Sequence, residues 1–421
     1  MLKGNIRTKY CWQALVAGAA VLLTGATASA DDIFTARTVI TLPGGAKVTS
    51  FDISYVDATI GLYLLADRTN KVVDVIDTTT NTVLTQLAAT PAFAGATPSN
   101  DNAGPDGVIT VGHREVWAGD GPSQVKVIDL FSQKTTHVIS TGGVNRADEM
   151  CVDPRDKLVL VANDAESPFP FVSFISTENY SVLGQIVMNG MLAPGGKVKS
   201  PAATNGIEQC QWDHRTGKFY VNIPEVNGPG NDTQPGAVVT ISPDTMQIEN
   251  VYSIPIGKCA GPQGMTIGPD HQILLGCNDP NKTVPSTVVI DDRDGNVIAT
   301  IANEDGSDEV WFNDGDSQYF LARSGGANPQ QLGIVDTDGK EGIADDQSVP
   351  IGLANNPPAS PHGTAHSVAA DPIFNQVYVP IPSTAGLSVC SGAGGSDAQG
   401  CIAVFTAAHD DQMADRDRKD H

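Results

Sequence analysis

Residues 146–166 read RADEMCVDPRDKLVLVANDAE. An acid, Glu149, opens a short apolar run, Asp153–Asp156 supply a polar turn, and a second apolar run ends at Asn163 and Asp164. Short apolar runs bounded by turn formers are strand signals, and two joined by a tight turn make a hairpin. The same order recurs. It begins at 50 (SFDISYVDATIGLYLLAD), 104 (GPDGVITVGHREVWAGD), 206 (GIEQCQWDHRTGKFYVNIPE), 261 (GPQGMTIGPDHQILLGCNDP), 307 (SDEVWFNDGDSQYFLARSG) and 365 (AHSVAADPIFNQVYVPIPS). With the opening stretch there are seven units. Most continue into a third strand such as KVVDVID, QVKVIDL or STVVIDD, then a turn and a fourth strand.

The residues that open the seven units are Asp52, Asp106, Glu149, Glu208, Gln263, Glu309 and His366. Their intervals are about forty to sixty residues, the range of a propeller blade with variable loops. A single four-stranded blade cannot bury both of its faces; seven stacked around an axis can, and leave only short edges. The expected fold is therefore all-β, a seven-bladed β-propeller. The seventh unit has no fourth strand after CIAVF, whereas ARTVITLP at 36–43 precedes the first unit. The N-terminal strand is expected to complete the last blade and close the ring.

The flanks read differently. Lys3, Arg7 and Lys9, the apolar ALVAGAAVLLTGA and the small-residue site ASA at 28–30 make residues 1–30 a signal peptide cleaved after Ala30. The propeller is expected over 31–406, and the polar 407–421 as a disordered charged tail. A periplasmic or secreted protein follows. The net charge is −23, and −26 once the three basic residues of 1–30 are removed. Such a chain should repel nucleic acid and anionic membrane, so neither is an expected partner. Six cysteines follow the signal. Cys390 and Cys401 flank a Gly-rich loop and are expected to bridge it, while Cys151 and Cys210 on neighbouring inner strands form either a disulfide or two buried thiols. No CxxCH occurs, which excludes covalent haem, and no P-loop or dinucleotide fingerprint occurs, which excludes a nucleotide site of those kinds.

LVLVAND, FYVNIP, ILLGCND and VYVPIP, most of them after DP- or DH-type turns, resemble the YVTN family of seven-bladed propellers. AHSVAADPIFNQVYVP at 365–380 carries the resemblance most fully. It implies the propeller fold over nearly all of the chain beyond the signal. More distant fold resemblances are to gluconolactonase-like metal-dependent lactonases and to the haem domains of nitrite reductases.

In this fold the loop entering each innermost strand and the loop leaving the second strand share one face. The seven opening residues should form an inner ring there. Asp67, Asp120, Asp164, Glu225, Asp279, Arg323 and the Pro380–Pro382 turn should form an outer one. Crowded carboxylates raise one another's pKa unless a cation or proton intervenes. Glu149, Glu208, Glu309 and His366 are the expected ligands of a divalent metal (manganese, iron or zinc), with Asn163 and Asn278 as further oxygen donors. His362, His366 and Glu208 are the acid/base candidates. DTDGKEGIADD at 336–346 offers Asp336, Asp338 and Asp345 for calcium, or is a polar hairpin tip. His113, His214 and His271 fall in turns of the opposite face. Two functions remain open: a metal-assisted hydrolase or lyase acting on a small metabolite, and a non-catalytic propeller binding a small molecule or a partner protein at the mouth. The sequence is silent on oligomeric state.

Overall fold

The computed structural model describes residues 34–278, 287–302, 304, 306–323, 331–339, 342–351, 366–383 and 389–407. These build seven four-stranded antiparallel sheets. The innermost strands of blades 1 to 7 are Ser54–Asp57, Val108–Val111, Met150–Asp153, Cys210–Asp213, Pro262–Ile267, Ser307–Asn313 and Ala369–Asp371. Each neighbours the next around the ring, and blade 7 neighbours blade 1. The chain is a seven-bladed β-propeller.

The second strands explain why the blades stack. Their side chains alternate between the two faces of a sheet. In Leu62–Asp67 of blade 1, Tyr63 and Leu65 pack toward blade 7, while Leu64 and Ala66 pack toward blade 2. Every other blade repeats this, so the core is seven apolar wedges, one between each pair of adjacent blades. Near-continuous apolar runs are what a strand buried on both faces requires.

The polar turns have a local cause. Asp57, Asp153, Asp213 and Asp371 end innermost strands, are buried, and accept the backbone N–H two residues on at 2.7–3.1 Å. This is the Asx turn, which lets a short carboxylate replace a backbone acceptor.

Closure follows the expectation, with shifted boundaries. Phe34–Ile40 pairs antiparallel with Cys401–Ala407 and forms the outermost strand of blade 7. The Ser54 N–H of blade 1 also donates to Ser367 Oγ at 2.8 Å. Three disulfides are present: Cys151–Cys210 between the innermost strands of blades 3 and 4, Cys259–Cys277, and Cys390–Cys401 across the Gly-rich loop. They fit an oxidising compartment. Among the described residues no helix is long and apolar enough to cross a membrane.

Candidate functional site: the central channel

The strands enter the channel in a register that the sequence leaves ambiguous. In blade 1, Asp52 N donates to Ala66 O at 2.9 Å and Ala66 N donates to Ile53 O at 3.0 Å. In blade 3 the same pair of bonds is made by Asp148 and Glu149 with Ala162, both at 2.8 Å. Asp148, not Glu149, is therefore the counterpart of Asp52. Blade 4 keeps the expected register, with Glu208 and Gln209 bonding Asn222. Blade 6 slips as blade 3 does: a Cβ on Gly264 would stand 2.9 Å from Asp308 O, as one on Gly107 would stand 2.0 Å from Asp148 O. Only glycine permits that approach of neighbouring backbones. Two rows result. The upper row holds Asp52, Asp106, Asp148, Glu208, Gln263 and Asp308; the next row down holds Ile53, Gly107, Glu149, Gln209, Gly264 and Glu309.

The upper row is filled by ion pairs. The Arg68 guanidinium lies 2.5 Å from both Asp52 Oδ2 and Asp106 Oδ1, with all three side chains buried. Arg146 lies 2.8 Å from Asp148 Oδ2 and from Asp164 Oδ2. His366 sits between Asp52 and Asp308, each 2.7 Å from one ring nitrogen. Burial opposes its charge, but Asp308 and Asp52 outweigh that and hold its pKa at about 10. Burial likewise works against the Asp52 carboxylate, yet Arg68 and His366 keep it well below the usual range. Burial pushes Asp106, Asp148 and Glu208 well above that range. Counting Asp164, six carboxyls face three cations, Arg68, Arg146 and protonated His366.

This arrangement bears directly on the expected metal ligands. Glu149, Glu208, Glu309 and His366 are not gathered as one set. Among the described residues, the acidic or imidazole ligand atoms lying within 4.8 Å of one another belong to Asp52, Asp106 and Asp148. Arg68 and Arg146 engage one oxygen each of Asp106 and Asp148, and the other oxygens, Asp106 Oδ2 and Asp148 Oδ1, accept no hydrogen bond among the described residues. His366 has both ring nitrogens engaged by carboxylates. His362 and Asp279 lie outside the described residues. Asp336 accepts from Gln318 Nε2 at 2.9 Å, on one strand of a hairpin; the side chains of Asp338 and Asp345 lie outside the described ones.

The described charged members of the expected outer ring are engaged within the protein. Asp120 pairs with buried Lys126 at 2.6 Å, and Asp67 caps Asn70. Glu225 accepts the backbone N–H groups of Gly230, Asn231, Thr233 and Gln234, and so shapes its own loop. Arg323 pairs with Glu304 at 3.1 Å. Asn163 donates to Ser123 Oγ and Arg146 O.

Open space lies below the ion pairs. A cavity of about 300 Å³ runs along the innermost strands. Its walls include Tyr55, Ile109, Trp212, Ile267, Trp311 and Phe312, and Glu149, Gln209 and Glu309 line the end nearest the upper row. The Cys151–Cys210 bridge forms part of the wall. A second pocket of about 540 Å³ shares Gln211, Trp212, Ile267 and Phe312 with it and reaches the turns bearing His214 and His271. The free volume is therefore approached from the face opposite the expected mouth.

At the closed end Glu149 and Glu309 are hydrogen-bonded to each other, which requires one carboxyl proton between them. Burial raises Glu149 to about 7, and burial together with repulsion from Glu149 raises Glu309 well above the usual carboxylate range. Gln209 fixes the pair. Its Nε2 donates to Glu309 Oε2 at 2.9 Å and to Val310 O at 3.3 Å, while its Oε1 accepts from Met265 N at 2.6 Å. Sequence reasoning missed Gln209, Arg68 and Arg146. Arg68 and Arg146 lie outside the repeat position that was compared; Gln209 lies one residue beyond it.

No family model matches the chain, and no curated protein matches it. Solved structures do. A chain of the crystal structure of the mitotic checkpoint complex aligns with a TM-score of 0.58 and 12% identity, over 96% of this chain and 99% of that one. Kuenenia stuttgartiensis hydrazine synthase aligns with a TM-score of 0.57 and 12% identity, over 80% of this chain and 93% of that one. At such identity the likeness is one of fold. The fold spans both an enzyme and a checkpoint assembly.

Proposed function

We propose that this protein is an exported, YVTN-type propeller that binds a small molecule in its central channel, entering from the face that carries the first-to-second strand turns. One observation carries the reading: the channel is walled by Tyr55, Trp212, Trp311 and Phe312 and ends at a fixed polar group, Glu149–Gln209–Glu309. Small-molecule sites combine predominantly apolar walls with a few placed polar groups, in volumes of about 300–1,000 Å³.

The test is a panel of small polar and aromatic metabolites read by tryptophan fluorescence, repeated on Gln211→Trp. Gln211 lines both pockets at their junction. A bulky side chain there should weaken binding at least tenfold while the melting temperature stays within about 3 °C, as expected for a partly exposed site. Binding unaffected by the substitution would place the ligand elsewhere.

A second reading, a hydrolase or lyase, is favoured by the Glu149–Glu309 pair. An acid with a pKa of about 7 beside a second carboxyl is suited to proton transfer at neutral pH. Turnover of a bound metabolite, abolished by Glu149→Gln, would establish it. Near-stoichiometric manganese, iron, zinc or calcium in the purified protein would add the metal-assisted form.

A further inference from the structure

The ligand class follows from what the channel offers and what it lacks, and this inference rests on the channel reading above. Among the described residues, the cavity lining contains two carboxyl side chains and no lysine, arginine or histidine. Both carboxyls lie at one end and are held by Gln209. The nearest cations, Arg68, Arg146 and His366, are already committed to Asp52, Asp106, Asp148, Asp164 and Asp308 in the row above. The pair is therefore an acidic end without a protein counter-ion of its own.

The walls are of matching kind. Tyr55 and Trp311 pack edge-to-face with centroids 5.8 Å apart, and Trp212 and Phe312 complete an aromatic lining. Aromatic faces attract cations and exclude competing water, and carboxylates accept ammonium N–H bonds. An anionic ligand would meet like charge at the closed end. A neutral one would leave that charge buried and uncompensated, which is costly.

We propose that the central channel binds a small primary ammonium compound that also carries a ring, its ammonium group against Glu149 and Glu309 and its ring among Tyr55, Trp212, Trp311 and Phe312.

Tyramine and tyrosol form a matched probe pair. They share a phenol and a two-carbon arm and differ in an ammonium against a hydroxyl. Titration calorimetry on the full disulfide-bonded protein at pH 7.5 should give tyramine at least a tenfold advantage over tyrosol. Glu149→Gln/Glu309→Gln keeps side-chain size and removes the charge; it should abolish that advantage. The comparison on the unmodified protein stands even if the double variant fails to fold. Equal or tighter binding of tyrosol overturns the ammonium class while leaving the channel reading in place. Tyramine binding that survives the double substitution overturns the assigned end. Failure of both probes, with a metabolite of another class still binding in a Gln211→Trp-sensitive manner, also overturns this inference alone.

Discussion

His366 shows how much a side chain's role depends on what faces it. An isolated imidazole is neutral or charged near neutral pH and can act as ligand or base. Here Asp52 and Asp308 each take one ring nitrogen at 2.7 Å and hold the charge on up to a pKa of about 10. A group whose pKa is raised on folding contributes stability that is complete below its unfolded value, about 6.5, and is lost as pH rises through the folded value. Glu149, raised from 4.5 to about 7, obeys the same sign in a lower window. Stability should therefore fall in two limbs, from about pH 4.5 to 7 and from about 6.5 to 10. His366→Gln should flatten the upper limb and spare the lower. Denaturant titrations at pH 5, 7, 9 and 10 measure both, and an unchanged alkaline slope in the variant would show that His366 is not held charged by this pair of carboxylates.

At the scale of the element, covalent links reinforce the places where blades and loops meet. Cys390–Cys401 closes a loop with a sequence separation of 11, and Cys151–Cys210 joins two innermost strands with a separation of 59. Loop-entropy arguments give about 3 kcal/mol for the shorter and about 4 kcal/mol for the longer. Paired Cys→Ser substitution should thus cost more at 151/210 than at 390/401, and peptide mapping of the native protein without reductant should recover all three bridges. Alkylation of any of the six thiols before reduction would count against the pairing. The repeat itself depends on Asx turns such as Asp153, whose carboxylate caps the backbone of Arg155 and Asp156.

For the whole molecule, stability depends on the ring being closed. Seven wedges bury apolar surface only while every blade has two neighbours. The N-terminal strand supplies the seventh blade's outer edge, and Phe34 on it packs against Phe320 of blade 6 at 5.4 Å between centroids. Deleting residues 34–40 should expose that edge and lower the melting temperature by more than 10 °C, since it removes a whole ladder and several buried side chains. An unaltered melting temperature in the deletion variant would mean that the ring does not depend on this strand.

Seven units of apolar runs joined by polar turns determined the propeller by themselves, and the spare strand before the first unit determined how it closes. Both are local patterns: strand periodicity and turn chemistry are written in consecutive residues. The bridge across the Gly-rich loop was legible for the same reason. The channel was not. Blades 3 and 6 each offer two adjacent acids, Asp148–Glu149 and Asp308–Glu309, and a slip of one residue moves a side chain from one row to the other. Only the backbone bonds of Asp148 and Glu149 to Ala162, with the close approach of Gly264 to Asp308, decide which acid joins the ion pairs and which faces the cavity. Arg68 and Arg146 become visible as counter-ions only when residues far apart in the chain meet. Composition supplied the acids. Their division into an ion-paired row and an acidic channel end depends on distances between blades, because charge and desolvation act through space and not along the chain.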